Sequence, residues 1–99
     1  MLFLKLAIFQ KKHVHLFANR DRFGIIANML IEAKSGLNKT QLIHCCNLNW
    51  RQLLLYLDFL LINNLISKEV DFDGSEKFVT TQKGNFFVKE FICLQALME

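Results

Sequence analysis

Three polar side chains, Asn49, Arg51 and Gln52, stand at the head of an apolar-periodic stretch, LNWRQLLLYLDFLLINNL. Their chemistry suits base edges. A guanidinium spans the two acceptors of guanine, and a carboxamide matches the donor and acceptor of adenine. Asn49 also has a plainer reading as a helix cap, with Arg51 and Gln52 merely solvated beside it. Lys39, Thr40 and Lys77 are of the types that hold phosphate oxygens. Lys11, Lys12 and His13, together with Arg20 and Arg22, make a second cationic cluster. It reads equally as an arm that follows a nucleic-acid backbone or as a flank that keeps an apolar N-terminus in solution.

Other chemistry finds less support. His13, His15, His44, Cys45 and Cys46 are of metal-ligating type, but no C-x-x-C or H-x-x-x-H spacing joins them, so no metal or cofactor is expected. There is no Gly-rich nucleophile turn, phosphate loop or carboxylate pair, so the chain does not read as an enzyme and no small-molecule substrate is evident. Three cysteines without framework spacing suggest reduced thiols in a cytoplasmic protein. The apolar run MLFLKLAIF is interrupted by Lys5 and is far short of the ~20 residues that span a bilayer, so no membrane partner is expected.

The elements that must position these residues follow from local signals. Asp21 can cap a helix over about 22–34, on which Phe23, Ile26, Ala27, Leu30, Ile31 and Lys34 recur at helical spacing. Gly36 lies just past its end, and Leu37 reads as a single buried extended residue. Asn38 can cap a second helix over about 39–46 that buries Leu42, Ile43 and Cys46. Asn47-Leu48 make a turn, and Asn49 with Gln52 resembles a capping box that opens a third helix. At about 100° per residue that helix carries Trp50, Leu53, Leu57, Leu60, Leu61 and Asn64 on one side. The other side carries Arg51, Gln52, Leu55, Asp58, Phe59 and Ile62. Strands over about 65–70 and 77–80 flank an Asp-Phe-Asp-Gly-Ser turn, and Thr81 caps a last helix over about 82–98. The fold class is therefore mainly α (α+β), with a helix-turn-helix at its centre and a hairpin before the last helix.

Composition sets the boundary conditions. At 99 residues, 53% of them hydrophobic and 10 of them Phe, the chain carries more apolar surface than one small core requires. The net charge of +3 is uneven: residues 1–22 hold five basic side chains against Asp21, and residues 23–99 hold seven basic against eight acidic. The basic character belongs to an N-terminal extension, residues 1–19, expected to pack on a domain formed by residues 20–99.

In this order of elements, the segments RDRFGIIANMLIEAKSG, KTQLI, LNWRQLLLYLDFLLINNLI and FVTTQKGNFF are similar to an archaeal winged helix-turn-helix family. It is a family of small DNA-binding or regulator-like proteins whose C-terminal helix often makes a dimer. The resemblance covers residues 20–98 and is carried by Arg22–Ile26, Lys39-Thr40, the Leu48–Leu60 block and Thr81-x-Lys83-Gly84. It implies that the hairpin is a wing and that the third helix is offered to the major groove. The chain departs from the family at Leu54 and Leu55, where members often carry Lys or other polar residues. It departs again at Ile62-Asn63-Asn64, where a charged pair and Gly are usual. The wing carries Glu69, Asp71, Asp73 and Glu76 against Lys68 and Lys77, a poor match to phosphate.

Two functions follow as expectations. One is a homodimeric regulator or small chromatin-associated factor. It binds double-stranded DNA through Lys39, Thr40, Asn49, Arg51, Gln52 and Lys77, aided by Lys11 and Lys12. The other is a winged-helix module for protein partners, in which Leu55, Phe59 and Ile62 make the contact. In either case Phe87, Phe91, Leu94 and Met98 form a stripe on the last helix suited to dimerisation.

Overall fold

The computed structural model describes residues 21–98. Lys11 and Lys12, and the packing expected of residues 1–19, lie outside the described residues. In chain order the elements are α1 (Arg22–Glu32), a 3-10 turn (Ala33–Ser35), α2 (Lys39–Cys46), α3 (Trp50–Ile62), β1 (Ile66–Val70), β2 (Glu76–Thr80) and α4 (Gln82–Leu97). Each α-helix begins where the sequence supplies an acceptor for its orphan amides. Asp21 Oδ1 accepts from Gly24 N, and Thr81 Oγ1 accepts from Gly84 N. Asn38 with Gln41, and Asn49 with Gln52, form reciprocal capping boxes.

The core gathers one face of each helix and the inner face of the hairpin: Ile25, Met29, Leu30, Leu42, Leu53, Leu60, Ile66 and Phe78 among its members. β1 and β2 pair antiparallel with Ile66 opposite Thr80 and Val70 opposite Glu76. Leu37 adds one further rung through paired backbone bonds with Phe78 of 3.0 and 2.7 Å. Thr80, buried in β2, donates its hydroxyl to the Leu30 carbonyl at 2.6 Å and so ties the hairpin to α1. A buried hydroxyl without such an acceptor costs about 1–3 kcal/mol, so this bond also fixes the depth of the strand.

Several expectations need correction. Phe23 is exposed, and the buried face of α1 is Ile25, Ile26, Ala27, Met29 and Leu30, with Ala33 beyond. Phe23 lies on the outward side of the first turn of α1, whose Gly24 and Ile25 are buried, and Lys34 is exposed in the 3-10 turn that follows the helix. Ile43 is only half-buried. Trp50, expected on the buried side of α3, is 54% exposed, because the first residue of the helix overhangs the end of the core. Asn64, placed on the same side, lies beyond the helix and is exposed, with φ of 59°.

That asparagine explains how α3 ends without the usual glycine. Leu65 N bonds to Leu60 O at 2.9 Å and Asn64 N to Leu61 O at 3.1 Å. This 6→1 and 5→2 pair is the Schellman pattern, which requires a left-handed residue at the Asn64 position. Asn tolerates that conformation better than other non-glycine residues.

The first turn of α4 then closes on the end of α3. Three consecutive carbonyls each gain a donor: Asn63 O from Lys83 Nζ at 2.9 Å, Asn64 O from the Thr81 hydroxyl at 2.7 Å, and Leu65 O from Thr81 N at 3.1 Å. Gly84 makes the approach possible, since a Cβ there would collide with the Leu65 carbonyl. The Thr81-x-Lys83-Gly84 motif is thus a clamp between α3 and α4. Gly84 serves this close packing.

Candidate nucleic-acid interface

The start of α3 presents Asn49, Trp50 and Arg51 to solvent, with Gln52 half-buried behind them. The capping box engages two of these side chains. Asn49 Oδ1 accepts from Gln52 N at 2.8 Å, and Gln52 Oε1 accepts from Asn49 N at 3.1 Å. Their amide NH2 groups remain as donors. A paired grip on adenine also needs the Gln52 oxygen, which would have to leave the cap. Arg51 is exposed one residue into the helix and carries no such duty as a cap.

Arg51 faces a groove of about 630 Å³ between α3 and the hairpin, whose other lining residues include Lys39, Leu54, Leu55, Asp58 and Lys68. Lys39 and Thr40 open α2, and the Lys39 ammonium lies 5.8 Å from the centroid of the Trp50 ring. The fold therefore brings Lys39, Thr40, Trp50 and Arg51 to one end of the molecule. Sequence reasoning misses Trp50 as a candidate because helical periodicity alone assigns it to the core. The signal that could have found it is its place immediately after the Asn49 cap, where a side chain has no preceding turn beneath it.

The hairpin is electrostatically different. Lys68 Nζ bridges to Glu76 Oε2 at 3.5 Å, and the strand register sets Lys77 opposite Glu69. Each wing cation is thus set against a wing carboxylate, bonded in the first case and facing in the second. At the turn, Ser75 donates its backbone N–H to Asp73 Oδ1 at 3.0 Å and its hydroxyl at 2.8 Å. The backbone bond, then the hydroxyl bond, holds the Asp73 carboxyl below its ordinary pKa, so the tip is anionic at neutral pH. Gly74 supplies the positive φ of 89° that the turn requires.

The remaining predicted residues lie further along α3, where Leu55 also lines the Arg51 groove, and on α4. Leu55, Phe59 and Ile62 are exposed along α3, Leu55 by 66% and Ile62 by 71%. Arg22, Ile26, Leu55, Tyr56 and Phe59 line a shallow groove of about 350 Å³ beside them. On α4, Phe87 and Phe91 are half-buried and stack with ring centroids 6.5 Å apart. Leu94 and Met98 are exposed, as are Phe86 and Leu97, and only Gly84 and Val88 of that helix are fully buried. Among the described residues no group of His, Cys, Asp and Glu could hold a metal ion, and no helix is long and apolar enough to cross a membrane.

A helix-turn-helix whose second helix opens onto a groove beside a two-stranded hairpin is the winged helix-turn-helix architecture. The comparison with known families agrees: residues 19–99 match the model described as winged helix-turn-helix, and the chain belongs to that family. The uncharacterized protein MJ0287 of Methanocaldococcus jannaschii is 36% identical over 66 residues, which are 66% of this chain and 63% of that relative's length. Among solved structures, Sso10a-2, a DNA-binding protein from Sulfolobus solfataricus, superposes with a TM-score of 0.65 at 20% identity, over 79% of this chain and 84% of that one. MepR, a transcription regulator of the Staphylococcus aureus multidrug efflux pump MepA, superposes with a TM-score of 0.67 at 18% identity, over 98% and 76%. A mutant of MepR bound to an oligodeoxyribonucleotide gives 0.65 at 16% identity, over 98% and 75%.

Proposed function

We propose that this chain is a homodimeric DNA-binding protein, acting as a transcription regulator or small chromatin-associated factor. The observation that carries the reading is Arg51, exposed in the first turn of α3 and sharing a groove with Lys39. The first turn is the part of a recognition helix that meets base edges. Arg51 is the base-reading side chain, Lys39 and Thr40 neutralise or bond phosphates, and the Asn49 and Gln52 amides add donors. Lys11 and Lys12 supply the long-range attraction that the near-neutral domain lacks. Structural neighbours described as a DNA-binding protein and as a transcription regulator support this reading at the level of the fold.

The test is a titration of duplex DNA with the full chain at several salt concentrations. If a dimer makes about six to eight phosphate contacts, affinity falls by roughly a thousandfold to ten-thousandfold between 50 and 200 mM salt. Absence of binding at low salt removes the reading.

Dimerisation is assigned to α4. A Phe or Leu side chain gains about 1.5–3 kcal/mol on full burial, and this helix leaves several of them at the surface. Leu94 and Met98 are 59% and 85% exposed, so replacing both by Glu leaves the described core intact. The expected mass by light scattering then falls from two subunits to one. A wild-type chain that is already a single subunit at high concentration overturns the assignment.

One observation favours a second reading, a module for protein partners: the exposed Leu55, Phe59 and Ile62 on the face that would enter the groove. The same titration separates the two. A chain that forms a dimer and binds no duplex at low salt belongs to this second class.

A further inference from the structure

Trp50 has no part in the reading above, yet its surroundings are organised. It is the first residue of α3, about half exposed, with the Lys39 ammonium 5.8 Å from its ring centroid. Asn38, Thr40, Gly74, Glu76 and Phe78 complete a notch of about 400 Å³ between the start of α2, the start of α3 and the hairpin. We propose that this notch seats one strand of duplex DNA by its sugar–phosphate backbone. The Lys39 ammonium takes a phosphate, and the Trp50 indole packs on the adjoining sugar. The inference rests on the DNA-binding reading and assigns to that site a contact residue that sets how deeply α3 enters the groove.

Five features of the notch suit a strand. Indole offers a broad apolar face and one N–H donor, a combination that matches sugar carbons beside phosphate oxygens. The ring attracts the Lys39 ammonium and so holds the cation close to its phosphate-binding position before DNA arrives. The carboxylate on the rim, Glu76, is already engaged by Lys68 at 3.5 Å, which blunts its repulsion of phosphate. Space is available on the hairpin side, since nothing lies within 4 Å of where a Cβ on Gly74 would stand. The α2 rim is held in place by the Asn38–Gln41 capping box, with bonds of 2.9 and 2.8 Å.

Trp50 is the one tryptophan of the chain, so its emission reports on this notch alone. The experiment is a titration of the full chain with a duplex of ~25 base pairs, a length that spans two half-sites about one turn apart. Trp50 emission and the anisotropy of labelled DNA are followed together. The expected result is an emission change that saturates at the same midpoint as the anisotropy. Trp50→Ala then weakens binding about tenfold, as loss of a buried apolar contact does, while Trp50→Phe retains most of it. Lys39→Gln lowers the salt slope by about one. The double variant Lys39→Gln/Trp50→Ala loses less than the product of the two single effects, because the pair acts as a unit. If the wild-type chain binds no duplex, the DNA reading fails and takes this inference with it. Wild-type affinity in Trp50→Ala, or lost affinity with unchanged wild-type Trp50 emission, overturns the inference alone. If Trp50→Ala fails to fold, wild-type emission and the Trp50→Phe affinity decide.

Discussion

Gly84→Ala lowers the stability of the chain by roughly 2–4 kcal/mol, at or above the upper end of what an added methyl costs in a packed site. The new Cβ would overlap the Leu65 carbonyl and lie 2.7 Å from Thr80 Cγ2. Neither neighbour yields easily. The carbonyl belongs to the turn that ends α3, and Thr80 is held at depth by its bond to Leu30 O. Relief requires α4 to move away from α3, which loosens the bonds from Thr81 and Lys83 to the carbonyls of residues 63–65. In thermal unfolding followed by circular dichroism, the midpoint falls by roughly 10–20 °C for a domain of this size. Lys83→Met removes only the exposed member of the clamp and costs under about 1 kcal/mol. Equal midpoints for Gly84→Ala and wild type would mean that the clamp is open in solution.

Arg51→Ala acts on binding and leaves stability alone. Removing a guanidinium that grips one base costs about 1–3 kcal/mol, roughly a tenfold to hundredfold loss of affinity, together with relaxed preference at that base pair. The side chain is exposed, so the unfolding midpoint should change by no more than ~0.5 kcal/mol allows. Gln52→Ala makes the informative contrast. It removes one half of the capping box, so part of its effect is a loss of about 0.5–1.5 kcal/mol in stability. Affinity for a chosen duplex, measured beside thermal unfolding for both variants, sorts reading from capping. Unchanged affinity in Arg51→Ala would place the base contact elsewhere on the surface.

The two variants probe opposite ends of α3, and the clamp gives the distinction a mechanical meaning. α4 carries the face assigned to dimerisation, and its start is bonded to the turn that ends α3. In a dimer built on α4, the spacing of the two proposed DNA-contacting ends is therefore set through this hydrogen-bonded junction. Gly84→Ala should disturb half-site spacing even in molecules that remain folded.

Much of this was legible from residue types alone, and the reason is range. Each cap closes a hydrogen bond across three residues: Asp21 to Gly24, Asn38 to Gln41, Asn49 to Gln52 and Thr81 to Gly84. Such bonds depend only on neighbouring residue types, so helix starts, the hairpin turn and the winged architecture could be read directly. Apolar spacing likewise marked Leu42, Leu53, Leu57 and Leu60 as core, because each lies within a helix where burial follows the helical period. Tertiary structure decided what periodicity leaves open at helix ends and across long separations. It put Phe23 and Trp50 at the surface, in first turns whose other side buries Ile25 and Leu53. It engaged the Asn49 and Gln52 oxygens in a cap and left Arg51 exposed with no capping role. It gave Lys83 and Thr80 partners 20 and 50 residues away. Those contacts arise from how whole elements pack, and a period of 3.6 residues carries no information about what lies beyond the end of its own helix.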